Sequence, residues 1–133
     1  MKKLNKKGFT LVELLAVIVI LALLIVVVAT TALPAMQNAK TKALKTYTER
    51  VMEQAKGLYI SSDGDTCSST TPCDELSDIM GSDVTDDYEI TTDFVVSGNM
   101  STGYTLSGAI TDKDGNVATI ASDGKTVDIT PAS

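Results

Sequence analysis

Few side chains in this 133-residue chain can do chemistry, and their types narrow the field at once. The chain has no histidine and no tryptophan, and its two cysteines are Cys67 and Cys73. Without imidazole there is no histidine general acid or base, no Ser-His-Asp triad and no Cys/His zinc cluster. No other catalytic constellation stands out, and an enzyme is not expected. Three small groups deserve a chemical reading. Glu13 is a carboxylate at the head of a long apolar run. Cys67 and Cys73 enclose five residues. Asp112, Asp114 and Asn116 lie in "DKDGN".

Glu13 is the hardest to explain by composition alone. From Leu14 to Ala29 no side chain is polar or charged. A charge at the centre of a membrane helix costs about 2.5–3.5 kcal/mol on insertion scales. The helix dipole favours an acid near a helix N-terminus by only some tenths of a kcal/mol, too little to offset membrane burial. The carboxylate therefore needs a partner.

The element that carries it is an apolar helix behind a basic start. Leu14 to Leu33 is interrupted only by Thr30 and Thr31. As a helix these 20 residues would span about 30 Å, the thickness of a hydrocarbon core. Lys2, Lys3, Lys6 and Lys7 precede it and favour keeping that end in the cytoplasm, with the remainder outside. An ordinary secretory signal, with "ATTA" at Ala29–Ala32 as its cleavage site, is the main rival. Its apolar centre would usually be only about 7–15 residues long, and a discarded signal has no use for Glu13. A plain single-pass anchor leaves Glu13 equally unexplained.

"KKGFTLVELL", Lys6 to Leu15, resembles the class III leader and methylation motif of type IV pilins and pseudopilins. The match runs through Gly8, Phe9, Thr10, Leu11, Val12 and Glu13, and the resemblance covers roughly the first quarter of the chain. It implies that a prepilin peptidase cuts between Gly8 and Phe9 and methylates the new amine of Phe9. It further implies that Glu13 is an assembly residue, pairing with the Phe9 amine of a neighbouring subunit. Opposite charges attract strongly in a low-dielectric setting, and an unpaired one is costly there. Removing the leader takes four lysines and moves the formal net charge from −6 to −10.

The implied organisation is a leader (1–8), a transmembrane or filament-core helix (9–33), an amphipathic stem helix (34–60) and a globular head (61–133). The stem is basic: Met36 to Lys56 has a net charge of +3. The head is acidic: from Ile60 onward 14 acids face two lysines. Pro34 interrupts the helical pattern. Pilins usually carry their proline nearer the start. Beyond it, Met36, Ala39, Ala43, Tyr47, Val51, Ala55 and Leu58 recur at helical spacing and are expected to face the head. A single helix is expected from about Phe9 to about Ile60.

After a Ser/Thr-rich loop with Gly64 and Pro72, the last third alternates as strands do. Tyr88, Ile90, Thr92, Phe94 and Val96 share one face, and so do Tyr104, Leu106, Gly108 and Ile110. "DKDGN" and "SDGK" (Ser122 to Lys125) are hairpin turns into Val117–Ala121 and Val127–Ile129. The expected fold is α+β, a long N-terminal helix packed on an antiparallel sheet of about four strands, as in pilins. So small a sheet needs a partner face to bury enough surface.

In an exported chain, cysteines as close as Cys67 and Cys73 are expected to form a disulfide. Asp112, Asp114 and Asn116 look like part of a calcium loop but lack the later ligands and distal Glu of an EF-hand. A hairpin turn is the better account, and no cofactor is expected, with calcium the one candidate. Acids at Ser82 to Glu89 oppose nucleic-acid binding by the head.

The implied function is a structural subunit of a type IV pilus-like filament. A pseudopilin of a type II secretion or competence (DNA-uptake) system is the alternative, and a secreted or anchored binding domain is the remoter one. The implied partners are identical and related pilin subunits, the prepilin peptidase, the pilus assembly platform and membrane lipid before assembly. The implied location is the cytoplasmic membrane, then a cell-surface filament.

Overall fold

A computed structural model describes Gly8 and residues 10–133 of the chain. Leader residues 1–7 and Phe9, on which the processing expectation falls, lie outside the described residues. The order is α1 (Leu11–Ser61), α2 (Leu76–Met80), a 3-10 turn (Gly81–Asp83), then β1 (Tyr88–Asn99), β2 (Gly103–Asp112), β3 (Val117–Ile120) and β4 (Val127–Thr130). The chain divides into two compact units, Met1–Asn38 and Ala39–Ser133, so the stem from Ala39 onward falls in one unit with the sheet.

In the first unit α1 is rich in Val and Ile, which are stiff and only modest helix formers in water. An apolar medium reverses that preference, because every backbone N–H and C=O must then be satisfied within the segment. The two threonines obey the same demand. Thr30 Oγ1 and Thr31 Oγ1 each donate to the Val27 carbonyl at 3.0 Å. Pro34 stands inside the helix. None of the described large apolar side chains from Leu11 to Met36 is buried. Among the described residues, α1 is by length and composition long and apolar enough to cross a membrane.

In the second unit the same helix is half covered. Leu44, Thr48, Val51, Met52 and Ala55 are buried, and the four apolar ones join Phe94, Val96, Leu106 and Ile110 in one core. This stripe is rotated from the one expected. Val51 and Ala55 lie in it as read, and Tyr47 and Leu58 lie at its margin, but Met36, Ala39 and Ala43 are exposed. The difference arises at Thr48, a polar residue that is fully buried because its hydroxyl donates to the Leu44 carbonyl at 2.8 Å. With its polar group satisfied inside the helix, Thr48 packs as a small apolar side chain would. The helix ends where Asp63 and Gly64 take positive φ and Gly64 N–H donates to the Tyr59 carbonyl at 2.8 Å.

The sheet is an antiparallel meander in the order β1-β2-β3-β4. β1 and β2 are longer than the short strands expected, at 12 and 10 residues. The β1–β2 register shifts between Ile90 and Val95, which leaves Thr92 exposed and Phe94 and Val96 buried. Gly108 sits opposite this irregularity with φ +151°, and a Cβ there would lie 2.8 Å from the Phe94 ring. The absent side chain is what lets Phe94 fill the core.

Cys67 and Cys73 are joined by a disulfide. Their loop covers the outer edge of β1. Phe94 N–H donates to the Cys73 carbonyl at 2.8 Å, Cys73 N–H donates to the Phe94 carbonyl at 3.0 Å, and Val96 N–H donates to the Cys67 carbonyl at 2.6 Å. An open edge is a template for unwanted pairing, and here the bridged loop occupies part of it.

Candidate functional site

The start of α1 is built by two residues three positions apart, Thr10 and Glu13. Thr10 N–H donates to Glu13 Oε2 at 3.0 Å. Glu13 N–H donates to Thr10 Oγ1 at 3.3 Å. This is a reciprocal capping box, which satisfies two of the donors that a helix start leaves unpaired. Its signature, Thr-x-x-Glu just before an apolar run, stands in "TLVE" beside the more conspicuous charge of Glu13. An N-cap of this kind contributes about 0.5–2 kcal/mol. Glu13 therefore has a role within its own chain, which reduces but does not cancel the cost of placing a carboxylate in an apolar medium. The bond to Thr10 uses one oxygen, and a carboxylate offers about four acceptor sites. Capacity remains for an ammonium group. Both residues are exposed. Gly8 is exposed, with open space where a Cβ would stand.

At the "DKDGN" turn the side chains close the hairpin themselves. Asp112 Oδ1 accepts the N–H groups of Asp114 and Asn116 at 3.0 and 2.9 Å. Asn116 Nδ2 donates to Asp112 Oδ2 at 2.8 Å. Asn116 is itself buried and its Oδ1 accepts the Ala132 N–H at 3.0 Å, which holds the C-terminal segment against the turn. Asp114 pairs with Lys40 of α1 at 2.9 Å. Among the described residues, no group of three or more His, Cys, Asp or Glu is placed to hold a metal ion. All three candidate calcium ligands are thus brought together, and each is engaged by the protein.

The acids around Tyr88 have local partners too. Asp87 pairs with Lys113 at 2.9 Å and Asp83 with Arg50 at 3.0 Å. Asp87 also holds the Lys113 ammonium above the ordinary lysine pKa, chiefly through their hydrogen bond. Burial, followed by Asp87 and Asp112, pushes the Tyr88 phenol up. Tyr88 stacks on Tyr47 of α1 with ring centroids 4.1 Å apart, and the Tyr47 hydroxyl is buried without a hydrogen-bond partner.

Residues 3–29 match the family model of the prokaryotic N-terminal methylation motif, the class III signal of type IV pilins and pseudopilins. Neither the curated proteins nor the solved structures give a match to the chain. The motif supports a precursor of the pilin or pseudopilin kind, a structural subunit rather than an enzyme, with peptidase processing and assembly into a multi-subunit filament. The long N-terminal helix followed by a four-stranded antiparallel sheet is the pilin-like arrangement.

Proposed function

We propose that this chain is the structural subunit of a type IV pilus-like filament. The leader is cut between Gly8 and Phe9, the Phe9 amine is methylated, and the subunits polymerise through their N-terminal helices. The observation that carries the reading is the methylation motif over residues 3–29 set on a helix whose described large apolar side chains from Leu11 to Met36 have no cover in the chain itself. A helix of that kind needs lipid first and other copies of itself afterwards. Glu13 is the residue that guides the exchange. In the lipid-bound subunit its carboxylate is held by Thr10, and at assembly it takes the Phe9 ammonium of a neighbour as a charged partner. Charge-assisted hydrogen bonds are roughly twice as strong as neutral ones, so the incoming amine is favoured over solvent-free isolation of the acid.

Mass spectrometry of the membrane and sheared surface fractions tests the processing step. The expected mature chain starts at a methylated Phe9. A mature N-terminus near Leu33 would instead establish an ordinary secretory signal. The same surface fraction, viewed by electron microscopy, separates a pilus from a short secretion pseudopilus by filament length.

A further inference from the structure

Two large aliphatic side chains stand exposed in the Ala39–Ser133 unit. Met100, at the tip of the β1–β2 hairpin, is 87 % exposed, and Ile60, at the end of α1, is 42 % exposed. They line one hollow of mixed polar and apolar character with Asp63 and Asn99, so at this end two apolar side chains stand beside an acid. The other end of the unit is more apolar. There an open groove of about 550 Å³ is lined by Ala39, Ala43, Tyr47 and Tyr88, with Lys42 and Arg50 at its margin. Among the described residues Lys42 has no carboxylate partner, whereas Arg50 has Asp83. The buried Tyr47 hydroxyl beside this groove lacks a partner as well. Ala43 and Ile60 are 17 residues apart in α1, about 25 Å along the helix axis.

We propose that copies of this unit meet head to tail, Met100 of one copy seating in the Ala43–Tyr47–Tyr88 groove of the next; the proposal rests on the filament reading above. A thioether is well suited to aromatic walls, since sulfur–aromatic contacts are favourable. Asp63 beside the Met100 knob carries the charge opposite to that of Lys42 beside the groove. That matching matters for a mature subunit of net charge −10, whose copies otherwise repel one another. Because knob and groove lie on different surfaces, the contact is heterologous. Such contacts propagate into open helical assemblies unless their rotation closes a ring. The two surfaces thereby supply a second assembly interface, separate from the N-terminal helices.

Disulfide trapping in full-length protein tests the contact. Chains carrying both Ala43→Cys and Met100→Cys should give a ladder of cross-linked multimers from sheared filaments under mild oxidation, whereas each single variant, whose thiol faces no cysteine across the contact, should stay monomeric. Met100→Asp, at a position too exposed to affect folding, should lower filament yield at least tenfold while the melting curve stays unchanged. Lys42→Glu should act in the same direction. Normal filaments from Met100→Asp, or abundant double-cysteine filaments without a ladder, would overturn the contact alone. Absence of filaments from the unsubstituted chain would overturn the filament reading and the contact with it.

Discussion

Val26 and Val51 belong to one helix, yet Val26 is 61 % exposed and Val51 is wholly buried. The contrast holds along α1. Up to Met36 the apolar side chains of the described residues have no intrachain cover, whereas Leu44, Val51, Met52 and Ala55 are covered by the sheet and the disulfide loop. The two stretches obey the same physics with different partners. Apolar area removed from water stabilises by about 25 cal/mol per Å² whichever surface removes it. In the second unit the cover is part of the same chain and is permanent. In the first it must be supplied from outside, so it can be exchanged. Exchange of lipid for other subunits is what assembly requires.

The polar residues divide in the same way. In the second unit several are committed to internal partners: Thr48 to Leu44, Asp112 to Asn116, Asp114 to Lys40. In the first, Glu13 is only partly committed, through a cap made by one of its oxygens. Perturbing the core of the second unit should therefore change its stability and leave membrane insertion alone. Perturbing Glu13 should change assembly and leave the stability of the second unit alone.

The largest expected stability change within the covered unit is at Phe94. Its ring is fully buried against Gly108, and Phe94→Ala should destabilise the unit by about 3–5 kcal/mol, read from a denaturant melt. Membrane insertion of the same variant, read by carbonate extraction, should be unchanged. Loss of insertion in that variant would show that the two units are not independent.

Opening the Cys67–Cys73 bridge should come next. A loop this short contributes about 2 kcal/mol through the entropy of the unfolded chain. Cys67→Ser with Cys73→Ser should lower the melting midpoint by a corresponding amount and raise hydrogen exchange at Phe94 and Val96, whose N–H groups the loop accepts. Unaltered exchange there would show that the loop covers the β1 edge without the bridge.

Asp112→Ala removes the acceptor that closes the β2–β3 turn and should cost about 1–2 kcal/mol, in the range for lost buried hydrogen bonds. Because Asp112 and Asn116 hold each other directly, a calcium chelator should leave the melting curve of the unsubstituted protein where it was. A rise of several degrees on adding calcium would make the turn a metal site instead.

The smallest effect concerns Asp123 in the β3–β4 turn. Hydrogen bonds from the Thr126 and Lys125 N–H groups hold its carboxyl below the ordinary aspartate value of 3.8. A carboxylate depressed by folding stabilises above its unfolded pKa, and that contribution is lost as pH falls through the folded value. Protection of the Thr126 amide, its exchange taken relative to the intrinsic rate at each pH, should accordingly be constant above about pH 5 and fall below about pH 4, close to the unperturbed carboxylate range. Asp123→Asn should flatten that dependence.

Much of this division was legible in the residues. The uninterrupted apolar run gave the first half of α1, and period-two alternation with two Asp-Gly turns gave the meander. Two close cysteines in a chain read as exported gave the bridge. The stem stripe was misread by part of a turn because alanine is equally at home exposed or buried, and because Thr48 hides its hydroxyl in the helix backbone. Met52 and Leu44 were the better guides to the covered face. The capping box was present in "TLVE" but overshadowed by the charge of Glu13. The Asp112–Asn116 contact was not legible at all as a closed network. It depends on where Ala132 returns, a contact 16 residues away that no local pattern encodes.

Assembly through Glu13 is the central claim, and filament yield from Glu13→Ala measures it most directly. The substitution removes a costly charge and one capping partner from the membrane helix. Leader cleavage, membrane level and the melting curve of the second unit should therefore match the unsubstituted protein. Sheared surface filaments should fall to a few per cent or less, and Glu13→Gln should behave similarly because it keeps an acceptor for Thr10 but offers no charge to an ammonium. Normal filament yield from both variants, beside normal processed subunit in the membrane, would contradict the account.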